Sequence, residues 1–223
     1  MARVLVVAAH PDDEVLGCGA TIARHVATGD EVRVVIMAEG LTSRGKASPA
    51  DSVSLRTSAF RASAILGVSE LKLEGLPDNR LDTLSRLSVI KIVESHIRDW
   101  KPSIVYTHHF GDLNIDHQVV HASVITACRS HPQNLVRTLL FFEIPSSTEW
   151  QIRGSGIPFE PQWYVDITNF IDVKIKAIEH YATELRPWPH PRSLEALVNL
   201  AKWRGSTAGL DAAEAFMVGR HIK

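Results

Sequence analysis

Apolar runs and amphipathic stretches alternate along the chain, and the apolar runs break off at polar residues. Residues 4–9 (VLVVAA), 31–37 (EVRVVIM), 103–107 (SIVYT) and 136–143 are short, rich in β-branched side chains, and read as buried strands; 71–73 and 163–167 are shorter strand candidates. Between them lie longer segments that predict helices over 15–28, 54–66, 83–100, 118–129 and 171–183. The clearest is 83–100, where Leu84, Leu87, Ile90, Val93 and Ile97 recur at a helical period. Gly29 and Gly67 stop two of the helices. The last helices are expected over 193–203 and 211–218. Strand and helix in alternation predict an α/β fold: one mostly parallel, Rossmann-like sheet flanked by helices, in a single domain over residues 1–223.

That topology changes how the polar clusters read. With right-handed crossovers, every parallel strand ends on the same edge of the sheet, so clusters remote in sequence can meet there. The first strand runs into His10-Pro11-Asp12-Asp13-Glu14, and the fourth into a polar segment from His108 to His117 that includes His109, Asp112, Asn114 and Asp116. Pro11 cannot continue a ladder. Ionisable groups at the end of a central strand are costly unless compensated, and a divalent metal is the simplest compensation. His10 and Asp13 are the nitrogen and oxygen donors zinc accepts, and the site is expected at the C-terminal ends of the strands. The plainer reading of HPDDE is a turn with a helix cap, and that of His117 a histidine at a helix start.

Composition adds limits. The formal net charge is -1, so bulk charge offers no attraction to nucleic acid or an anionic membrane. The apolar runs are too short to span a bilayer or to serve as a signal peptide, and the expected location is cytoplasmic. Cys18 and Cys128 form no disulfide framework. A Ser-, Gly- and Lys-containing stretch at 42–50 suggests a lid, with a plain connection as the competing reading, and 144–162 is a long loop of the kind usually kept for function.

AHPDDE after an apolar first strand, followed by Gly17-Cys18-Gly19-Ala20, resembles the PIG-L/LmbE family of zinc-dependent N-acetylglucosamine deacetylases. Residues 114–117 (NIDH) are similar to that family's H-x-D-H motif, with Asn114 in place of the first histidine, and the likeness extends to Ala213-Glu214-Ala215-Phe216. The resemblance implies that His10, Asp13 and His117 bind one Zn²⁺, that Asp12 is the general base, and that Asn114 and Asp116 act beside it. It further implies Arg56 and His109 on the substrate side, and a segment near the pocket or a subunit contact over 186–193 (RPWPHPRS). The implied assembly is a homo-oligomer, a trimer or hexamer, acting on a small N-acetyl amino sugar or glycoconjugate. An asparagine cannot serve as a general acid, so protonation of the leaving amine would fall on Asp12 or on another histidine such as His109. Glu14 is expected to orient a ligand or the helix start.

Two other function classes are weighed. A phosphoesterase or other metal hydrolase could use the same carboxylates, but such chemistry often takes two metals, and three convincing ligands favour one. A Rossmann nucleotide-binding module would need G-x-G-x-x-G where this chain has HPDDEVLGCG.

Overall fold

The computed structural model describes residues 1–41, 49–130, 135–152, 154 and 156–223. The stretch expected as a lid lies for the most part outside the described residues. In chain order the main elements are β1 (Arg3–Ala8), α1 (Asp13–Ala27), β2 (Glu31–Ala38), α2 (Pro49–Leu66), β3 (Glu70–Leu76), α3 (Arg86–Trp100), β4 (Ile104–His108), α4 (Ile115–Ala127), β5 (Thr138–Phe142), β6 (Trp163–Asp166), α5 (Ile171–Ile178), α6 (Leu194–Ser206) and β7 (Ala213–His221). The described strands form one sheet in the order β3-β2-β1-β4-β5-β7-β6. β1 to β5 are parallel to one another, and β7 runs antiparallel between β5 and β6.

The continuous apolar character of β1 has a simple cause. Val4 and Val6 point into one core with residues of α1, α2 and α5; Leu5 and Val7 point into another with residues of α3 and α4. Both faces of the strand are covered, so no polar alternation is possible. After β3 the chain returns across the sheet to place β4 on the other side of β1, and this reversal opens a crevice at the C-terminal ends of β1 and β4.

One expectation is overturned. Residues 213–221 form strand β7, not part of a helix over 211–218. Residues 213–218 (AEAFMV) suit either state, and partners decide: β7 completes hydrogen-bonded ladders on both sides, with β5 and β6. Gly219 admits the Phe141 ring, 2.5 Å from where a Cβ would stand.

β7 also repairs a break in α1. Cys18 leaves helical geometry (φ -150°, ψ 25°). Glu214 accepts the freed N–H groups of Ala20 (3.1 Å) and Thr21 (2.7 Å). Lys174 from α5 donates to the Leu16 carbonyl at 2.7 Å and to Glu214 at 2.6 Å. The small residue Gly17 is required because a Cβ there would lie 2.5 Å from the Phe142 ring. No helix among the described residues is long and apolar enough to cross a membrane.

Two outcomes follow. Lys174→Met strands the buried Glu214 carboxylate without its cation and is expected to lower unfolding free energy by about 3–5 kcal/mol; a loss under about 1 kcal/mol in urea titration would refute the role assigned to the pair. His121, buried on α4 with Nδ1 2.8 Å from the His108 carbonyl, is pushed down to about 4 by burial. The folded state therefore resists a proton that the unfolded chain accepts near 6.5, and stability falls as pH drops through that window. His121→Asn, which keeps a donor, should remove about 2–3 kcal/mol of the loss between about pH 7 and about pH 4.5, read from urea midpoints at both values.

Candidate metal centre

The site begins with a strained turn. β1 ends, Pro11 follows, and Asp12 takes φ 116°, ψ -28° in the left-handed region that disfavours side chains. The turn is held on both sides. The Asp12 N–H donates to Glu14 Oε2 at 3.2 Å, and its carbonyl accepts from Val15 and Leu16. Glu14 accepts the Tyr181 hydroxyl at 2.7 Å, and burial pushes its carboxyl up to about 8. Three of the four described non-glycine residues with positive φ, Asp12, Asn79 and Ser146, line one cavity with His10, Asp78, Asn114, His117 and Arg192. Strained backbone of this kind clusters at active sites and ligand clamps.

Asp13 stands with His10 and His117 in a group of three donors. Its Oδ2 lies 3.3 Å from His10 Nδ1 and 3.2 Å from His117 Nε2, and the two ring nitrogens are 3.3 Å apart. Donors about 2.0–2.1 Å from one tetrahedral ion stand about 3.3 Å from one another, so this triangle has the dimensions of one face of such a site. Among the described residues, the other Asp13 oxygen is buried without a hydrogen-bond partner. The donor types and spacing fit a metal ion, and two of the three donors, His10 and His117, line the cavity.

Each imidazole is aimed by a carboxylate on its far nitrogen. Asp116 Oδ2 lies 3.0 Å from His10 Nε2. The same carboxylate accepts the N–H groups of Asn79 (2.7 Å) and Leu81 (2.9 Å), which commits both oxygens. Asp112 Oδ1 lies 3.0 Å from His117 Nδ1, while Asp112 also accepts from Ser147, from Thr148 (2.6 Å) and from the Asn114 N–H (2.9 Å). This outer ring sets which nitrogen of each imidazole is turned toward Asp13. His108 stacks on His117 with ring centroids 4.0 Å apart, and its Nε2 accepts the Ala9 N–H.

The electrostatics follow from this packing. Burial opposes charge on His10, but Asp116 and Asp13 outweigh it and raise the imidazole to about 10. His117 is raised to about 9, burial again being outweighed, here by Asp13 and Asp112. Burial would raise Asp13, yet His117 and His10 hold it well below the usual carboxylate range. The cluster thus gathers positive charge onto Asp13 where an ion would sit. Asp12 is raised to about 7, chiefly by burial, with Arg192 pulling the other way.

His10, Asp13 and His117, expected as ligands, stand together, with Asp12 on the adjoining cavity wall. Asn114 lies on the same wall as the N-cap of α4: its Oδ1 accepts from Asp116 and His117 N–H groups, and its Nδ2 donates to Asn79. The Asp116 side chain faces His10, not His117. Two candidates stand elsewhere. Arg56 is exposed on α2, outside the residues lining the cavity. His109 is buried, its Nε2 3.0 Å from the Ile157 carbonyl and its ring against Phe110 and Phe159. Cys18 is buried with its thiol toward the Glu14 carbonyl, away from the three donors. The sequence singles out none of Asp112, Ser147 and Arg192, although each lies in a segment it marks: the polar cluster after β4, the long loop over 144–162 and the proline-spaced segment over 186–193.

A protein of Escherichia coli (strain K12) described as the uncharacterized deacetylase YaiS is 31% identical over 185 residues, 80% of this chain and 89% of that protein. The conserved protein TT1542 of Thermus thermophilus superposes with a TM-score of 0.79 at 27% identity, covering 100% of this chain and 97% of the other. GalB, the 4-carboxy-2-hydroxymuconate hydratase of Pseudomonas putida KT2440, shares the fold with a TM-score of 0.81 at 22% identity over 100% of this chain and 98% of its own. Residues 5–128, which hold the whole donor triangle, match the family described as GlcNAc-PI de-N-acetylase. The chain belongs to that family, PIG-L.

Proposed function

We propose that the protein is a zinc-dependent hydrolase that removes the acetyl group from an N-acetylated amino sugar of the N-acetylglucosamine type. The observation that carries this reading is the donor triangle of His10, Asp13 and His117 opening onto a cavity whose wall holds a separate carboxylate, Asp12. Two imidazoles and one carboxylate with an open position is a catalytic set, not a closed structural one. The family description supplies the acetamide and the sugar. The same reading has the enzyme working in the cytoplasm as a homo-oligomer, a trimer or hexamer.

When bound, the ion would lower the pKa of water to about 7 and polarise the acetamide carbonyl. The chain's own residues do the rest. Asp12 takes a proton from the attacking water as its oxygen bonds to the acetyl carbon. It returns that proton to the nitrogen as the C–N bond breaks, leaving acetate and a free amine. Asn114 commits its Oδ1 to the helix cap and one Nδ2 hydrogen to Asn79, so a second Nδ2 hydrogen is available to the developing oxyanion. His109, turned to the Ile157 carbonyl, is not placed to be the acid. Both proton transfers therefore rest on Asp12. Asp116 holds His10 and takes no direct part.

A hydratase shares this fold, so the fold does not decide the reaction. Acetate release from a panel of N-acetylhexosamine compounds decides it: release supports the deacetylase, and turnover of an ester or phosphoester without acetate release would transfer the site to another hydrolase. Metal analysis of purified protein is expected to find about one zinc per chain. Asp12→Asn should lower acetate release by about 10²–10⁴-fold with zinc retained, whereas His10→Ala, Asp13→Ala and His117→Ala should each lose zinc. Near-normal turnover by Asp12→Asn would remove it as the base. Asn114→His would test the missing acid: it is expected to move the alkaline limb of the rate profile, and an unmoved limb would take position 114 out of proton transfer.

A further inference from the structure

Arg192 enters the cavity from the proline-spaced segment that precedes α6. Its backbone is pinned: its N–H donates to His190 Nδ1 at 3.0 Å, its carbonyl accepts the Arg186 N–H at 3.3 Å, and Ser193 caps α6. The side chain is four-fifths buried. Nη1 donates to Asp12 Oδ2 at 2.8 Å and Nε to Ser146 Oγ at 2.7 Å, and Nη1 lies 3.7 Å from Glu184 Oε2. One fork therefore ties two strained residues of different loops, Asp12 (φ 116°) and Ser146 (φ 68°), in the cavity that His10 and His117 also line.

Resting on the deacetylase reading above, we propose that Arg192 is a positioning residue for Asp12: it occupies Oδ2, so that Oδ1 alone carries the proton to and from the reacting atoms. Among the described residues nothing donates to Oδ1 of Asp12. A carboxylate that turns about its χ2 torsion would offer either oxygen in a range of directions; a short charge-assisted bond to one oxygen fixes the direction of the other. This matters more here than where a histidine shares the acid's work, because the residue at position 114 cannot. The alternative, that Arg192 binds an anionic group of the substrate, is opposed by the two carboxylates already beside it. The planar fork is also what the geometry needs, since a lysine ammonium could not keep the Nε and Nη1 partners together.

The test uses full-length, zinc-loaded protein. Arg192→Ala is expected to keep its zinc and to lose about a hundredfold in kcat for acetate release, with KM changed less than about threefold. Guanidinium chloride at about 20 mM should restore part of the rate to Arg192→Ala and none to Asp12→Asn. Arg192→Lys, which keeps the charge but not the fork, should fall between the two and serves if the alanine variant does not fold. A rise in KM with kcat unchanged would overturn the proposal in favour of substrate contact. A crystal structure of either variant decides independently of turnover: the Asp12 carboxylate is expected to rotate or split while His10, Asp13 and His117 stay in place, and an Asp12 carboxylate unmoved in both variants would overturn the proposal. If the wild type releases no acetate from any N-acetylhexosamine, the deacetylase reading fails, and the crystallographic result still settles whether Arg192 sets Asp12.

Discussion

A fully buried carboxylate oxygen, that of Asp13, sits between two imidazoles from distant parts of the chain, and the rest of the molecule makes that meeting tolerable. Charge without water is costly unless it is paired and hydrogen-bonded. Here the pairing comes from His10, just before it in the chain, and His117, far along it. The reversal of strand order between β1 and β4 brings them within reach, because it leaves a crevice where the two strands end side by side.

Around that centre each layer answers the one inside it. Asp116 and Asp112 hold the far nitrogens of the two histidines, and backbone N–H groups, Ser147 and Thr148 hold those carboxylates in turn. Asp116 thereby joins α4 to the loop after β3, so this loop, the end of β1 and the start of α4 are fixed by one side chain. Glu14 and Tyr181 do similar work for the turn at Asp12, where the backbone is held in a conformation that a free chain would leave. The consequence is two adjacent aspartates with different surroundings: Asp13 against imidazoles, Asp12 against a guanidinium and the cavity.

Further out, α1 depends on the C-terminal strand. The helix breaks at Cys18, and Glu214 and Lys174 supply the hydrogen bonds that the break removes. The small residues Gly17 and Gly19 belong to this arrangement rather than to phosphate binding, since the space over Gly17 is taken by Phe142. The break lies one helical turn beyond Glu14, so the geometry at the head of α1 is braced from β7 and α5.

The apolar runs made the α/β class and the strands β1, β2, β4 and β5 readable from the residues alone, because strands buried on both faces have no polar alternation to confuse them. HPDDE and NIDH, each after such a run, marked where donors would gather, since polar residues at strand ends of a parallel sheet share one edge. Other features were not local. Residues 213–218 have no decisive periodicity, and became a strand through partners on both sides. Arg192 and Ser146 lie in segments the sequence marks, 186–193 and 144–162, but nothing local sets either residue apart, and their tie to Asp12 exists only because two loops close over the same crevice. His109 shows the converse: a residue type suited to the site that the packing turns toward Ile157. The sequence by itself determined which chemistry is available and on which edge of the sheet it lies. Tertiary structure decided which side chains share that edge at hydrogen-bond distance, because such distances depend on the closure of segments that do not adjoin in the chain.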